Sequence, residues 1–207
     1  MIDAHEIYEY IKKYASLEDN VFCDLHKCAS PDKCKHKQNH CMVNFDEVKD
    51  AYCSNKRIAP CKSADGLSYN NNGILFVIEI KGWELYNKYS KPKTEQEVKD
   101  KVGEYRLSVK LSDSLMILKD VLGKQGEIIV PIVYLVVSDI KNEGIESIAS
   151  NLLLLAETSS SFSHTYGDEI KSQLLSISDI DVGFVKNCQG IDNELDSWTK
   201  ARQIQLV

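Results

Sequence analysis

The sequence predicts one α/β (or α+β) domain, a mixed β-sheet flanked by helices. Three observations lead there. Helix-period and strand-period segments alternate along much of the chain. The run from Ile128 to Val137 is rich in β-branched residues and free of charge, as a buried strand is. Ahead of it, Asn71-Asn72-Gly73 separates two strand-like runs, the pattern of a β-hairpin.

Taken in order, residues 2–16 form an amphipathic helix with Ile7, Ile11, Tyr14 and Ala15 near one face. Residues 21–44 are rich in Cys, His and Lys and show little periodicity. A short helix follows from Phe45 to Tyr52, with Asn44 as its cap. The hairpin strands are Asp65–Asn70 and Ile74–Lys81. A lysine-rich link containing Lys91-Pro92-Lys93 leads to one long helix, Glu95–Leu122. Thr94 caps it, with Glu97 at capping-box spacing, and Gly123 ends it. Leu107, Leu111, Leu115, Leu118 and Leu122 share one face of that helix and read as core.

In the run Ile128–Val137, Pro131 argues against a fully central position at the start of the strand. A helix at 144–157, a Ser-rich loop at 158–166 and a helix through Leu175 come next. A strand near Asp181–Lys186 and a helix near Asp192–Ile204 complete the chain.

A length of 207 residues, 43% hydrophobic and 27% charged, suits one packed domain. No apolar run approaches the roughly 18 residues of a membrane span. The first residues lack the basic-then-apolar layout of a signal peptide, so the expectation is a soluble, cytoplasmic protein without a membrane partner. The net charge of −6 is unevenly spread. Residues 22–62 carry 8 Lys/Arg against 5 Asp/Glu, and residues 81–124 carry 10 against 7. Residues 125–207 carry 5 against 12. The segments flanking the hairpin are therefore locally basic, and local charge governs affinity for phosphate.

The second hairpin strand carries the chemistry. Glu79 and Lys81 share a face with Leu75 and Val77, while Ile74, Phe76, Ile78 and Ile80 face the other way. Charges at the end of a strand that is apolar on both faces are unfavourable unless paired. Such local inconsistency tends to mark function. If Gly73 takes the left-handed position of a three-residue loop, Asn70 pairs with Ile74. Continuing that register sets Asp65 opposite Glu79, with Cβ atoms about 5 Å apart. Two carboxylates at that distance call for a cation, and hard oxygen donors favour Mg²⁺ or Mn²⁺. Lys81, on the same face, is placed to hold a water or steady a phosphorane. The plainer reading is a structural Glu–Lys pair beside a turn at Asp65-Gly66.

Asp65, a spacer, an apolar strand and then Glu79-Ile80-Lys81 resemble the PD-(D/E)xK nuclease superfamily. The likeness covers roughly residues 45–140 as helix, hairpin, helix and strand. It implies a restriction-endonuclease-like fold, with metal held by the Asp65 and Glu79 carboxylates and the Ile80 carbonyl. It further implies that Lys81 positions the attacking water and that an acid on the preceding helix joins them, Glu47 by order alone. Ala64 stands where the motif often has proline.

Cys23, Cys28, Cys34 and Cys41 are separated by four, five and six residues, with His26, His36 and His40 between and around them. Four thiolates, or three and an imidazole, satisfy tetrahedral zinc. The spacing differs from the CxxC pairs of common fingers; zinc is favoured over an iron–sulfur cluster, with unligated cysteines the other alternative. Such a site is structural, and Lys27, Lys33, Lys35 and Lys37 within it face either phosphates or solvent. Cys53, Cys61 and Cys188 read as buried small residues, although Cys53 or Cys61 could complete the cluster.

No phosphate-cradling glycine motif is present, and the serines around His164 lack a nucleophile elbow. Lys99, Arg106 and Lys110 line a groove or, by default, an exposed helix face. Trp83 and Tyr86 either stack on a base or pack beneath the following loop. The expected function is a Mg²⁺-dependent nuclease, with DNA favoured over RNA as the nucleic-acid partner. The alternative is a catalytically inactive nuclease-fold module that binds nucleic acid or a protein. A homodimer is the simplest arrangement if both strands of a duplex are cut.

Overall fold

The computed structural model describes residues 2–26, 39–123, 128–140, 161–178 and 180–199. The helix expected at 144–157, Ser159, Ser160 and the end of the last helix toward Ile204 lie outside the described residues.

Helix α1 spans Ala4–Tyr14 and opens on a capping box, with Asp3 and Glu6 each accepting the other's backbone N–H at 2.8 Å. It buries Ala4, Ile7, Tyr8 and Ile11. The short helix α2 (Phe22–Leu25) precedes a two-residue strand β1, Val43–Asn44. Asn44 caps α3 (Phe45–Lys56) by accepting from the Asp46 N–H. That helix runs a turn beyond the expected Tyr52 and ends on Arg57 in the left-handed region.

Strands β2 (Gly66–Tyr69) and β3 (Leu75–Lys81) form the hairpin in the expected register, Gly66 opposite Ile78 and Tyr69 opposite Leu75. The Asn70 N–H donates to Ile74 O at 3.1 Å, and Gly73 has φ 74°, as a three-residue loop requires. Asn70 is buried and fully used. Its Oδ1 accepts from Asn72 N and Ile74 N, and its Nδ2 donates to the carbonyls of Leu195 and Trp198 at 2.7 and 3.0 Å.

The five-stranded sheet has the order β1-β2-β3-β4-β5, with β4 at Ile132–Ser138 and β5 at Asp181–Val185. The first three strands are antiparallel, and β3, β4 and β5 run parallel. Strand β4 is therefore interior, and only its first residue, Ile132, is half-buried. The strand begins one residue after Pro131, whose carbonyl accepts from Leu75 N at 3.0 Å.

Three element expectations are corrected. The link after β3 contains helix α4, Trp83–Ser90, with Trp83 buried against Tyr86 and Tyr166. The single long helix is two helices, α5 (Glu95–Gly103) and α6 (Leu107–Leu122), broken where Arg106 takes φ 50°, ψ 53°. The cause is periodicity. The buried Val98 of α5 and Leu107 of α6 are nine residues apart, which at about 100° per residue would set them on opposite sides of one helix. Helix α7, Ser161–Leu175, begins inside the expected Ser-rich loop. Phe162, Tyr166, Ile170 and Leu174, four residues apart in turn, are all buried, and this stripe outweighs the serines. A 3₁₀ turn at Cys188–Gly190 leads into α8, Ile191–Ser197.

Helices α1, α3, α5, α6 and α7 cover one face of the sheet, against Leu75, Val77, Tyr134 and Val136. Helices α2 and α8 cover the other, against Phe76, Ile78, Val133, Leu135 and Val137. Glu79 and Lys81 continue the row of Leu75 and Val77 on the helix-rich face.

Candidate active site at the end of the central strand

At the C-terminal end of β3 the apolar row gives way to charge. Glu79 is fully buried, and its Oε1 meets two ammonium groups. Lys81 Nζ is in direct contact with it, and Lys110 Nζ of α6 donates to it at 2.6 Å. Its second oxygen, Oε2, is buried and has no hydrogen-bond partner among the described residues.

Asp65, just ahead of β2, is fixed through its backbone and its side chain. Its N–H donates to Ile78 O at 2.9 Å, its carbonyl accepts from Phe45 N at 3.0 Å, and its Oδ2 accepts from Ile80 N at 2.6 Å. Lys81 Nζ donates to Ile80 O at 3.0 Å, stands 3.9 Å from Asp65 Oδ2 and lies 5.0 Å over the Tyr105 ring. Lys110 Nζ is 3.8 Å from Asp65 Oδ1. Two carboxylates thus face two lysines, a balanced cluster in a largely desolvated position.

Burial pushes the Glu79 carboxyl up to about 7; Lys81 and Lys110 pull it back down, and Asp65 adds to the rise. Burial disfavours the Lys110 charge, yet Glu79 and Asp65 outweigh it and raise its pKa. The Tyr134 hydroxyl on β4, buried without a partner, is pushed well above its usual range by burial and by the charges of Glu79 and Asp65.

Asp65, Glu79, Ile80 and Lys81 are brought together as the sequence led us to expect. Glu47 is not part of that contact set. It is exposed, and its Oε1 accepts from Asn44 Nδ2 at 2.7 Å, a tie made at the start of its own helix. The acid of that turn whose charge reaches Lys110 is Asp46, which also accepts from Ser63 Oγ at 2.7 Å. Lys110 itself is a correction to its default reading as part of an exposed face, since it turns into the carboxylates. Lys110 adjoins Leu111 at the edge of the leucine stripe, which is the signal that could have found it. Tyr105 and Tyr134 carried no comparable signal.

The motif departure at Ala64 has a structural use. The buried Ala64 N–H donates to Ser114 Oγ at 2.9 Å, and Ser114 Oγ donates to Lys110 O at 2.7 Å. Proline has no N–H to give there. The strap before Asp65 is therefore bonded to the helix that carries Lys110.

Beyond the strand ends, His26 Nε2 lies 3.6 Å from Asp139 Oδ2, both side chains nearly buried. Asp139 Oδ1 accepts from Glu84 N at 3.1 Å and so serves the start of α4. Of the four cysteines expected to bind zinc, Cys23 is half-buried and Cys41 exposed, while Cys28 and Cys34 lie outside the described residues. His36 and Lys27, Lys33, Lys35 and Lys37 lie outside them too. Among the described residues no group of three or more His, Cys, Asp or Glu side chains is placed to hold a metal. Cys53 and Cys188 are buried as expected, and Cys53 Sγ faces Cys61 Sγ at 3.6 Å.

The oxygens at the end of β3 do suit a small divalent cation. Asp65, Glu79 and the Ile80 carbonyl offer hard donors around the Lys81 ammonium, with Lys110 on the same two carboxylates, and among the described residues Glu79 Oε2 has no hydrogen-bond partner. No protein-family model, curated protein or solved structure matches the chain. Among the described residues no helix is long and apolar enough to cross a membrane.

Proposed function

We propose that the chain is a metal-dependent nuclease of the PD-(D/E)xK type, hydrolysing phosphodiester bonds, with DNA as the foremost substrate. One observation carries this reading: two carboxylates and a backbone carbonyl surround a lysine ammonium at the end of the central strand. Asp65, Glu79 and the Ile80 carbonyl would hold Mg²⁺ or Mn²⁺. Such an ion would supply Lewis acidity and make its bound water more acidic. Lys81 holds the attacking water by donating to its oxygen and steadies the negative charge that develops on the phosphoryl oxygens. The Tyr105 ring under the Lys81 ammonium keeps that side chain at the donor cluster. Burial of Glu79 strengthens each of these electrostatic contacts.

The second reading is a nuclease-fold module that binds without cutting, and the pairing of both carboxylates with lysines favours it. One assay separates them: incubation of plasmid and single-stranded DNA with Mg²⁺, Mn²⁺ or EDTA, beside Asp65→Ala and Lys81→Ala. A nuclease cuts only with metal, and each substitution lowers the rate by about 100-fold or more. Cleavage that both variants retain removes this site from consideration. Binding without cleavage under every condition selects the second reading.

A further inference from the structure

Lys110 belongs to no part of the motif, yet like Lys81 it spans both carboxylates, 2.6 Å from Glu79 Oε1 and 3.8 Å from Asp65 Oδ1. Its place is fixed by main-chain ties. Ser114 Oγ bonds the Lys110 carbonyl and accepts from Ala64 N, and Asp113 accepts from Lys62 N at 3.0 Å. Helix α6 is thereby fastened to the strap that ends at Asp65. Lys81 is held differently, by Glu79, the Ile80 carbonyl and the Tyr105 ring.

A groove lies one helical turn before Lys110, at Arg106. The Lys110 N–H donates to the Arg106 carbonyl at 3.1 Å. Arg106, Lys62 and Lys99 line an open groove of about 840 Å³ together with Asp100, Glu104 and Glu169. Asp100 accepts from Gln96 and Glu104 from Lys101, both at 2.7 Å. Among the described residues the three cations of the groove make no ion pair.

We propose that Lys110 is a substrate-binding residue of the site, the fixed cation that holds a phosphodiester of a nucleic-acid strand entering along the Arg106–Lys62–Lys99 groove. The proposal rests on the nuclease reading of the same site and gives its substrate a path. A divalent cation held by Asp65 and Glu79 would take over the partner that Lys110 now has. The substrate phosphate is then the anion that replaces it, and a pre-placed ammonium makes that contact without reorganising.

The test is binding of a fluorescein-labelled single strand of about 12 nucleotides to the full chain. Ca²⁺ replaces Mg²⁺, and wild type, Lys110→Met and Lys110→Arg are compared over a range of salt. Mn²⁺ binding without DNA is followed by electron paramagnetic resonance. Lys110→Met weakens oligonucleotide binding about tenfold and flattens the salt slope by about 0.7, the share of one phosphate contact on a single strand. Lys110→Arg keeps most of the affinity, and Mn²⁺ binding by Lys110→Met is no weaker than wild type. Oligonucleotide affinity unchanged by Lys110→Met, absent in wild type, or lost together with Mn²⁺ affinity overturns the proposal. The Asp65→Ala cleavage assay keeps the two readings apart. Cleavage abolished by Asp65→Ala with Lys110→Met binding like wild type removes Lys110 alone, and cleavage that survives Asp65→Ala removes the site itself.

Discussion

Glu79 is the residue on which the site's energetics turn. A carboxyl with no exposed surface resists ionisation, and its rise from 4.5 to about 7 corresponds to about 3 kcal/mol. For an acid whose folded pKa is raised, the folded state binds more protons than the unfolded one between those two values. That contribution to stability is therefore present at low pH and is lost as pH rises through about 7. Glu79→Gln should remove the dependence. The variant-minus-wild-type difference in Tm is expected to become more positive from pH 5 to pH 8, by roughly 2–4 °C for each kcal/mol regained. A difference that stays flat, or runs the other way, counts against a buried, resistant carboxyl. The three motif residues were legible because strand alternation and loop chemistry are local rules. Lys110 and Tyr134 were not, because they reach Glu79 from other elements and only tertiary packing brings them there.

At the scale of elements, the strap between α3 and β2 matters as much as the strands. It ties Ala64 to Ser114 and Lys62 to Asp113, so two successive positions on α6 answer to it. Ala64→Pro, which restores the motif's usual residue, should destabilise the protein by about 1–3 kcal/mol, because a buried Ser114 hydroxyl loses its donor. Urea denaturation followed by circular dichroism measures this; a midpoint equal to wild type would show the tie to be dispensable. Helix α1, the hairpin, α3, β4 and β5 could be read from the sequence because each carries its own period or cap. The division of α5 from α6 was present in the spacing of Val98 and Leu107, but a capping box and a leucine stripe masked it. Helix α4 carried no such pattern, since among its residues only Trp83 is buried.

For the molecule as a whole, the hairpin loop is the joint between the site and the C-terminal helix. Asn70 fixes the loop from within and holds α8 from below, using all four of its hydrogen-bonding positions while almost fully buried. A slip of one residue in β2 against β3 would turn the side chains of β2, and Asp65 just ahead of it, to the face opposite Glu79 and Lys81. Asn70→Ala should lower stability by about 2 kcal/mol or more, as two buried carbonyls, the buried Ile74 N–H and the part-buried Asn72 N–H lose a partner. Thermal unfolding of the variant checks it, and a Tm within error of wild type would mean that the loop holds its register without the asparagine.

The same asparagine has a consequence in time. Leu195, whose carbonyl it binds, lies 125 residues further along the chain. At a ribosomal rate of about 5–20 residues per second, the hairpin is made roughly 6–25 s before that acceptor exists. During that interval the nascent hairpin must keep its pairing through its own turn and strands alone.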